Sequence, residues 1–119
     1  MNYLLLIYGD EQAGVNMSKE DMDEMMGAYN AYTEDLQKAG IMRGGDALHP
    51  TSSATTVRVQ DGKKVTTHGP FAETKEQLGG YYWVDCKNLD EAIEWAAKCP
   101  GAHYGSIEVR PVVDFSQPQ

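Results

Sequence analysis

The sequence predicts one α+β domain built as a split βαβ unit with an inserted β-hairpin, an antiparallel sheet carrying two helices on one face. Three observations carry that reading. Two stretches with helical apolar spacing alternate with short strand-like runs, in the order β-α-β-hairpin-β-α-β. A strong hairpin signal, Asp61-Gly62, falls between two of those runs. The chain has 119 residues, which suits one domain and hardly two.

Tyr3 to Tyr8 is a continuous apolar run closed by Gly9-Asp10, the pattern of a strand covered on both faces. Residues 10–17 read as a loop. Ser18 opens a helix with Asp21 as its capping partner. Met22, Met25, Met26, Tyr29, Tyr32, Thr33 and Leu36 follow at helical spacing, read as a core face packed on the sheet, and Gly40 is the stop. Ile41 to Leu48 is a second strand interrupted by Gly44-Gly45. Thr55 to Gln60 alternates, and Lys64 to Thr67 returns as its hairpin partner. Residues 69–80 read as an ordered loop with a helical turn at Ala72–Gln77. Tyr81 to Val84 is a further strand. Asn88 caps a second helix whose stripe is Leu89, Ala92, Ile93, Ala96 and Ala97, and Pro100-Gly101 ends it. Ile107 and Val109 mark the last strand. The domain runs over 1–113, and 114–119 is a tail.

This element order is that of a ferredoxin-like domain. With both helices on one face, the apolar residues on the other face of Tyr3–Tyr8 and Tyr81–Val84 need a second cover. A second copy of the same sheet is the economical answer, which predicts a homodimer closed as a dimeric α+β barrel.

Composition narrows the function. Against 18 Asp+Glu stand 10 Lys+Arg, a formal charge of −8. That argues against direct nucleic-acid binding and against an anionic membrane surface, both of which need clustered cations. Cys86 and Cys99 make no disulfide framework and read as reduced, buried thiols. With those thiols and no export signal or membrane-spanning run, the expected location is the cytoplasm.

Alternation in the last strand puts Ser106, Glu108 and Arg110 on the face opposite Ile107 and Val109. In the hairpin, Thr56, Arg58 and Gln60 oppose Val57 and Val59. If the apolar sets meet the helices, the polar sets face the space between two sheets. There Glu108 with Arg110 or Arg58 is either part of a ligand pocket or a structural ion pair. The densest polar segment is Thr67 to Gln77, pinned by Gly69, Pro70 and Phe71. His68 is a candidate acid/base with its ring set by Glu73 or Asp46, and Lys75 a candidate anion clamp. A solvated loop is the plain alternative. Both functional readings need His68, Glu73, Tyr104 and Glu108 to converge on one cavity. No metal is expected, because His49, His68 and His103 lack ligand spacing. The glycines form no phosphate-binding loop, and no cofactor is expected.

The segment His68-Gly69-Pro70-Phe71-Ala72-Glu73-Thr74-Lys75-Glu76-Gln77-Leu78-Gly79-Gly80-Tyr81 resembles the signature of the YCII-related proteins of the DGPF type. Tyr3 to Asp10, Gly44 to Leu48, Ala54 to Arg58, Glu94 to Pro100 and Tyr104 to Pro111 resemble that family as well. The resemblance covers essentially the whole chain and implies the dimeric α+β barrel. One departure is that His68 stands where the family's motif usually begins with Asp. The wider superfamily includes isomerases, lyases and monooxygenases, and a dehydrochlorinase occurs among YCII-like proteins. Relatives of the DGPF type also occur fused to alternative sigma factors.

Two readings follow. In the first, the protein is an enzyme acting on a small polar or aromatic metabolite, with His68 as acid/base, Glu73 as its orienter and Arg58 or Lys75 as anion clamp. Asp46, Tyr104, Glu108 and Arg110 complete the ligand-binding set. In the second, it is a non-catalytic ligand-binding or regulatory module linked to a sigma factor.

Overall fold

The computed structural model describes residues 1–116; of the expected tail, 117–119 lie outside the described residues. The described chain is α+β, with antiparallel sheets and three helices. Strand β1 is Asn2–Gly9, β2 Met42–Ala47, β3 Thr55–Gln60, β4 Lys63–His68, β5 Gln77–Asp85 and β6 Ser106–Pro111. Helix α1 is Glu11–Val15, α2 Lys19–Lys38 and α3 Leu89–Lys98. Four strands form one sheet in the order β2-β5-β1-β6, every neighbour antiparallel. This is the ferredoxin-like order.

Alternation decides which side chains the helices cover. Tyr3 and Leu5 of β1 are buried together with Val84 of β5, while Ile7 and Val109 pack against the same cluster. Helix α2 adds Tyr32 and Leu36, and α3 adds Ala92 and Ala96. The intervening Leu4, Leu6 and Tyr8 therefore point to the helix-free face. Ser18 caps α2 by accepting from the Asp21 N–H at 3.0 Å, and Asn88 caps α3 by accepting from Glu91 N–H at 2.9 Å. Gly40 ends α2 at φ 73°, a left-handed angle that a side chain resists. Cys86 and Cys99 are free and buried. Among the described residues no helix is long and apolar enough to cross a membrane.

Several elements differ from the sequence reading. Residues 10–17 hold the short helix α1, started by the Asp10 carboxylate accepting from Gln12 N–H at 2.9 Å. No helical turn forms at 72–77; Gln77 instead begins β5, paired with Gly9. Only the C-terminal part of the α2 stripe reaches the core, with Met22 52% and Met26 65% exposed. Helix α2, with 20 residues, is about 30 Å long, whereas the six-residue edge strands β2 and β6 are about 20 Å long. In α3 only Ala92 and Ala96 of the expected stripe are buried; Leu89, Ile93 and Ala97 are exposed.

The hairpin does not join the main sheet. Among the described residues β3 and β4 pair only with each other, and Val57 and Val59 are 58% and 72% exposed rather than packed under a helix. The expectation that Arg58 points between two sheets because Val57 and Val59 meet the helices therefore does not hold within the single chain. The two strands form an arm, closed at its base by Gly69 N–H donating to the Ala54 carbonyl at 2.7 Å. The turn at Asp61-Gly62 has φ 51° and 75°, the two-residue geometry that suits the twist of such strands. The arm widens the molecule to 49 × 48 × 19 Å with a radius of gyration of 16.5 Å. A compact chain of this length has roughly 13–14 Å.

Candidate functional site

Where β2 and β5 pass beneath α2, two glycines leave the sheet bare on the helix side. Gly45 pairs with Tyr82, and Gly80 pairs with both Ala47 and Ile7. A Cβ on Gly45 would lie 3.0 Å from the Tyr81 carbonyl, and one on Gly80 only 2.9 Å from that of Asp46. The space above this floor is a cavity of about 520 Å³, a size typical of small-molecule sites. Met26, Tyr29 and Thr33 wall it from α2, Met42 and Tyr82 from the sheet, and Asp10 and Glu11 border it at the start of α1.

Its interior offers hydroxyls and aromatic rings. Thr33 Oγ1 and the Tyr82 hydroxyl are 2.8 Å apart. Burial pushes the Tyr29 and Tyr82 hydroxyls above their ordinary pKa, and the nearby Cys99 pushes both further the same way. They are protonated at neutral pH and serve as hydrogen-bond partners rather than bases. Glu11 accepts from Thr51 N–H at 2.8 Å and from Thr51 Oγ1 at 2.7 Å, which ties α1 to the chain leading into the arm. Neither Asp10 nor Glu11 has a cationic partner within ion-pair distance among the described residues.

The helix-free face carries a second set of polar groups. Register aligns Asp46, Tyr81, Leu6 and Glu108 in one row across the sheet, and Gly44, Trp83, Leu4 and Arg110 in the next. Tyr81 donates to Asp46 at 2.7 Å, and this acceptor raises the Tyr81 pKa. Arg110 pairs with Glu108 at 3.0 Å, and the Tyr8 hydroxyl donates to Glu108 at 3.4 Å. Glu108 thus pairs with Arg110 rather than Arg58.

The family of YCII-related domains matches residues 1–116. The chain belongs to the YCII-related family. It is also 40% identical over 114 residues to Uncharacterized protein R00369 of Rhizobium meliloti (strain 1021), covering 94% of this chain and 92% of that protein.

In this YCII-related chain the residues singled out from sequence occupy different surfaces. Asp46, Glu108 and Arg110 share the helix-free face. His68 ends β4 opposite Thr55, exposed, with no hydrogen bond or ion pair to Glu73 or Asp46 among the described residues. Glu73 borders an open polar cleft between the 69–74 loop and α1. Arg58 and Lys75 are exposed on the arm and on the loop after it. Tyr104 is 74% exposed and lines a groove between α2 and the turn after α3. A single chain therefore does not bring His68, Glu73, Tyr104 and Glu108 to one cavity. Among the described residues no three His, Cys, Asp or Glu side chains gather as a metal site.

The cavity under α2 was not foreseen. Its signals were present: two Gly-Gly pairs in strands, and the hydroxyl of Thr33 within an apolar stripe. Glycines read as interruptions of a strand are here what opens the space above it.

Proposed function

We propose that this YCII-related protein is a homodimeric, cytoplasmic binding protein for a small, largely apolar molecule held between α2 and the sheet. The observation that carries this reading is the glycine-floored cavity with its Thr33–Tyr82 hydroxyl pair. The tyrosines there are protonated, and among the described residues no nucleophile with an adjacent base lines the cavity, so binding is favoured over turnover. The dimer is supported by the helix-free face, where Leu4 lies opposite Trp83 and Leu6 opposite Tyr81, and Trp83 is 40% exposed. Soluble monomers seldom expose large contiguous apolar patches. A partner sheet closing a barrel there would bury at least ~2,000 Å². Two free thiols fit a reducing compartment.

The test is a metabolite screen by thermal shift on the wild type and on Thr33→Phe and Met42→Phe, which fill the cavity from opposite walls. A ligand at a hundred times its Kd adds ~2.7 kcal/mol of stability. Hits lost in both variants support the cavity. Hits retained in both place the site elsewhere.

A second reading keeps the protein an enzyme, with His68 as acid/base, Glu73 as orienter and Arg58 or Lys75 as clamp. It is favoured by the position of His68, at the foot of the arm and next to the loop that borders the polar cleft. Tyr104 and Glu108 would have to come from a partner protomer. Turnover of a cyclic lactone or chlorinated hydroquinone that is lost in His68→Ala would establish it. Equal rates in wild type and variant would remove His68 from the chemistry. A regulatory role beside an alternative sigma factor rests on family resemblance, and co-purification with such a factor is its check.

A further inference from the structure

The arm is made of residues that suit a covered strand. Seven of the fourteen residues from Thr55 to His68 are Val or Thr, the β-branched types that pack well on a pleated surface. Yet of the twelve residues in β3 and β4 eleven are exposed and none is buried. Val57, Val59 and Val65 are among the exposed ones, and Phe71 stands 78% exposed on the loop at the foot of the arm. Two strands alone make a ribbon that is marginal in water and calls for a third strand or a packed face. Among the described residues the same chain supplies no third strand and buries no side chain of the ribbon.

Charge indicates which surface covers it. Residues 55–68 hold three of the 10 Lys+Arg and one of the 18 Asp+Glu, so the arm carries +2 in a chain of −8 and the remainder carries −10. Register sets these cations around the valines: Lys64 lies opposite Val59, Arg58 opposite Val65 and Lys63 opposite Gln60. None of the three cations has an ion-pair partner among the described residues. Against a polyanion such as nucleic acid, three cations work in the repelling field of the remaining −10. For a second copy of this chain the same field is an attraction. Two arms laid on each other would oppose like charges, so the arm is directed to the body of the copy. The molecule is 19 Å thick against 49 and 48 Å across, so the arm extends it sideways and not in height.

We infer that the arm is a reciprocal clasp: in the homodimer it lies against the body of the second copy, which covers Val57 and Val59 and sets its carboxylates against Arg58, Lys63 and Lys64. This rests on the homodimer proposed above and goes beyond it, because closure through the helix-free face alone gives the arm no cover.

The experiment uses the full chain. Isotope-labelled and unlabelled chains are refolded together, treated with a carbodiimide that joins amines to adjacent carboxylates, and digested for mass spectrometry. Crosslinks from Lys63 or Lys64 are expected to join a labelled to an unlabelled chain, and to end on a carboxylate outside residues 55–68. In sedimentation equilibrium, Val57→Thr with Val59→Thr, and separately Lys63→Glu with Lys64→Glu, are each expected to weaken the dimer at least about tenfold. These side chains are exposed in the single chain, so both variants keep its fold. Raising salt from about 0.05 M to about 0.5 M should cost the wild-type dimer more affinity than the charge-reversed one. If both variants dimerise as the wild type does, or if the crosslinks stay within one chain or run from arm to arm, the clasp is overturned and the sheet-face dimer stands. If the wild type is a monomer, the dimer falls and takes the clasp with it.

Discussion

The hydroxyls of Thr33 and Tyr82 lie 2.8 Å apart, and that bond fastens α2 to the middle of β5. The Tyr82 ring meets Tyr32 edge-on at 5.3 Å, and the Tyr32 hydroxyl donates to the Trp95 carbonyl at 2.7 Å. Sheet, α2 and α3 are thus joined by one run of aromatic and hydroxyl contacts.

Thr33→Val and Tyr82→Phe each remove one partner of that bond and keep the shape. Each is expected to cost about 1 kcal/mol. Because they share one interaction, the double variant loses less than the sum. Urea denaturation of the four proteins measures the difference.

Leu5 is fully buried at the centre of the sheet, between Tyr82 on β5 and Val109 on β6. Leu5→Ala leaves a cavity that neighbours on paired strands cannot close, at a cost of about 2–5 kcal/mol. Against a typical total of about 5–15 kcal/mol, this is a large fraction. The melting temperature followed by circular dichroism reports it.

Gly105 runs so close to the Tyr8 carbonyl that a Cβ there would collide with main chain. Backbone cannot turn aside as a side chain does, so Gly105→Ala is expected to lose about 1–3 kcal/mol. Gly9→Ala, where a Cβ meets nothing within 4 Å, is the control and should be nearly silent in the same melt.

Burial, reinforced by the charge of Glu91, pushes the Cys86 thiol from 9.0 up to about 11. Burial raises Cys99 too. Both thiols should resist Ellman's reagent at pH 8 in the folded protein and react fully in urea. The same shift sets an alkaline limit. Above pH 9 the unfolded chain sheds the Cys86 proton while the folded chain keeps it, so stability falls with rising pH until about pH 11. Tyr29, Tyr32 and Tyr82, all raised above 10.0 chiefly by burial, extend the loss upward from pH 10. Urea midpoints taken from pH 8 to 11 should decline steadily; a flat series contradicts the assignment.

Assembly has its own test. Leu6 sits on the helix-free face between Tyr81 and Glu108. Leu6→Asp should give aggregated or unfolded chain if that face is an obligate interface. For the wild type the melting temperature should rise with protein concentration. Light scattering that finds a stable 13.2 kDa particle at micromolar concentration would remove the dimer.

Features written in local sequence were legible beforehand. Alternation placed Ile107 and Val109 opposite Glu108 and Arg110, Ser18 and Asn88 marked helix starts, and Asp61-Gly62 marked the hairpin. Helix α1 escaped because a five-residue EQAGV segment has no room for an apolar period and contains a glycine. The Met22–Met26 part of α2 looked like core because spacing reports a helix face and not how far the sheet extends beneath it. The cavity escaped because it is made by missing side chains at Gly45 and Gly80, which are distant in sequence and meet only once β2 lies beside β5. Within a single chain His68 and Glu108 lie apart for a related reason: sequence density on one loop says nothing about the direction in which the arm leads that loop.

The bond from Gly69 N–H to the Ala54 carbonyl, joined by the Thr56 hydroxyl donating to the Gly69 carbonyl, draws the two ends of the arm together. In engineering terms the arm is a cassette. Everything from Thr55 to His68 can be exchanged for a tight turn, or for a foreign domain, without asking the four-stranded sheet to move. Ala54 and Gly69 are therefore natural splice points for separating what the arm does from what the cavity does.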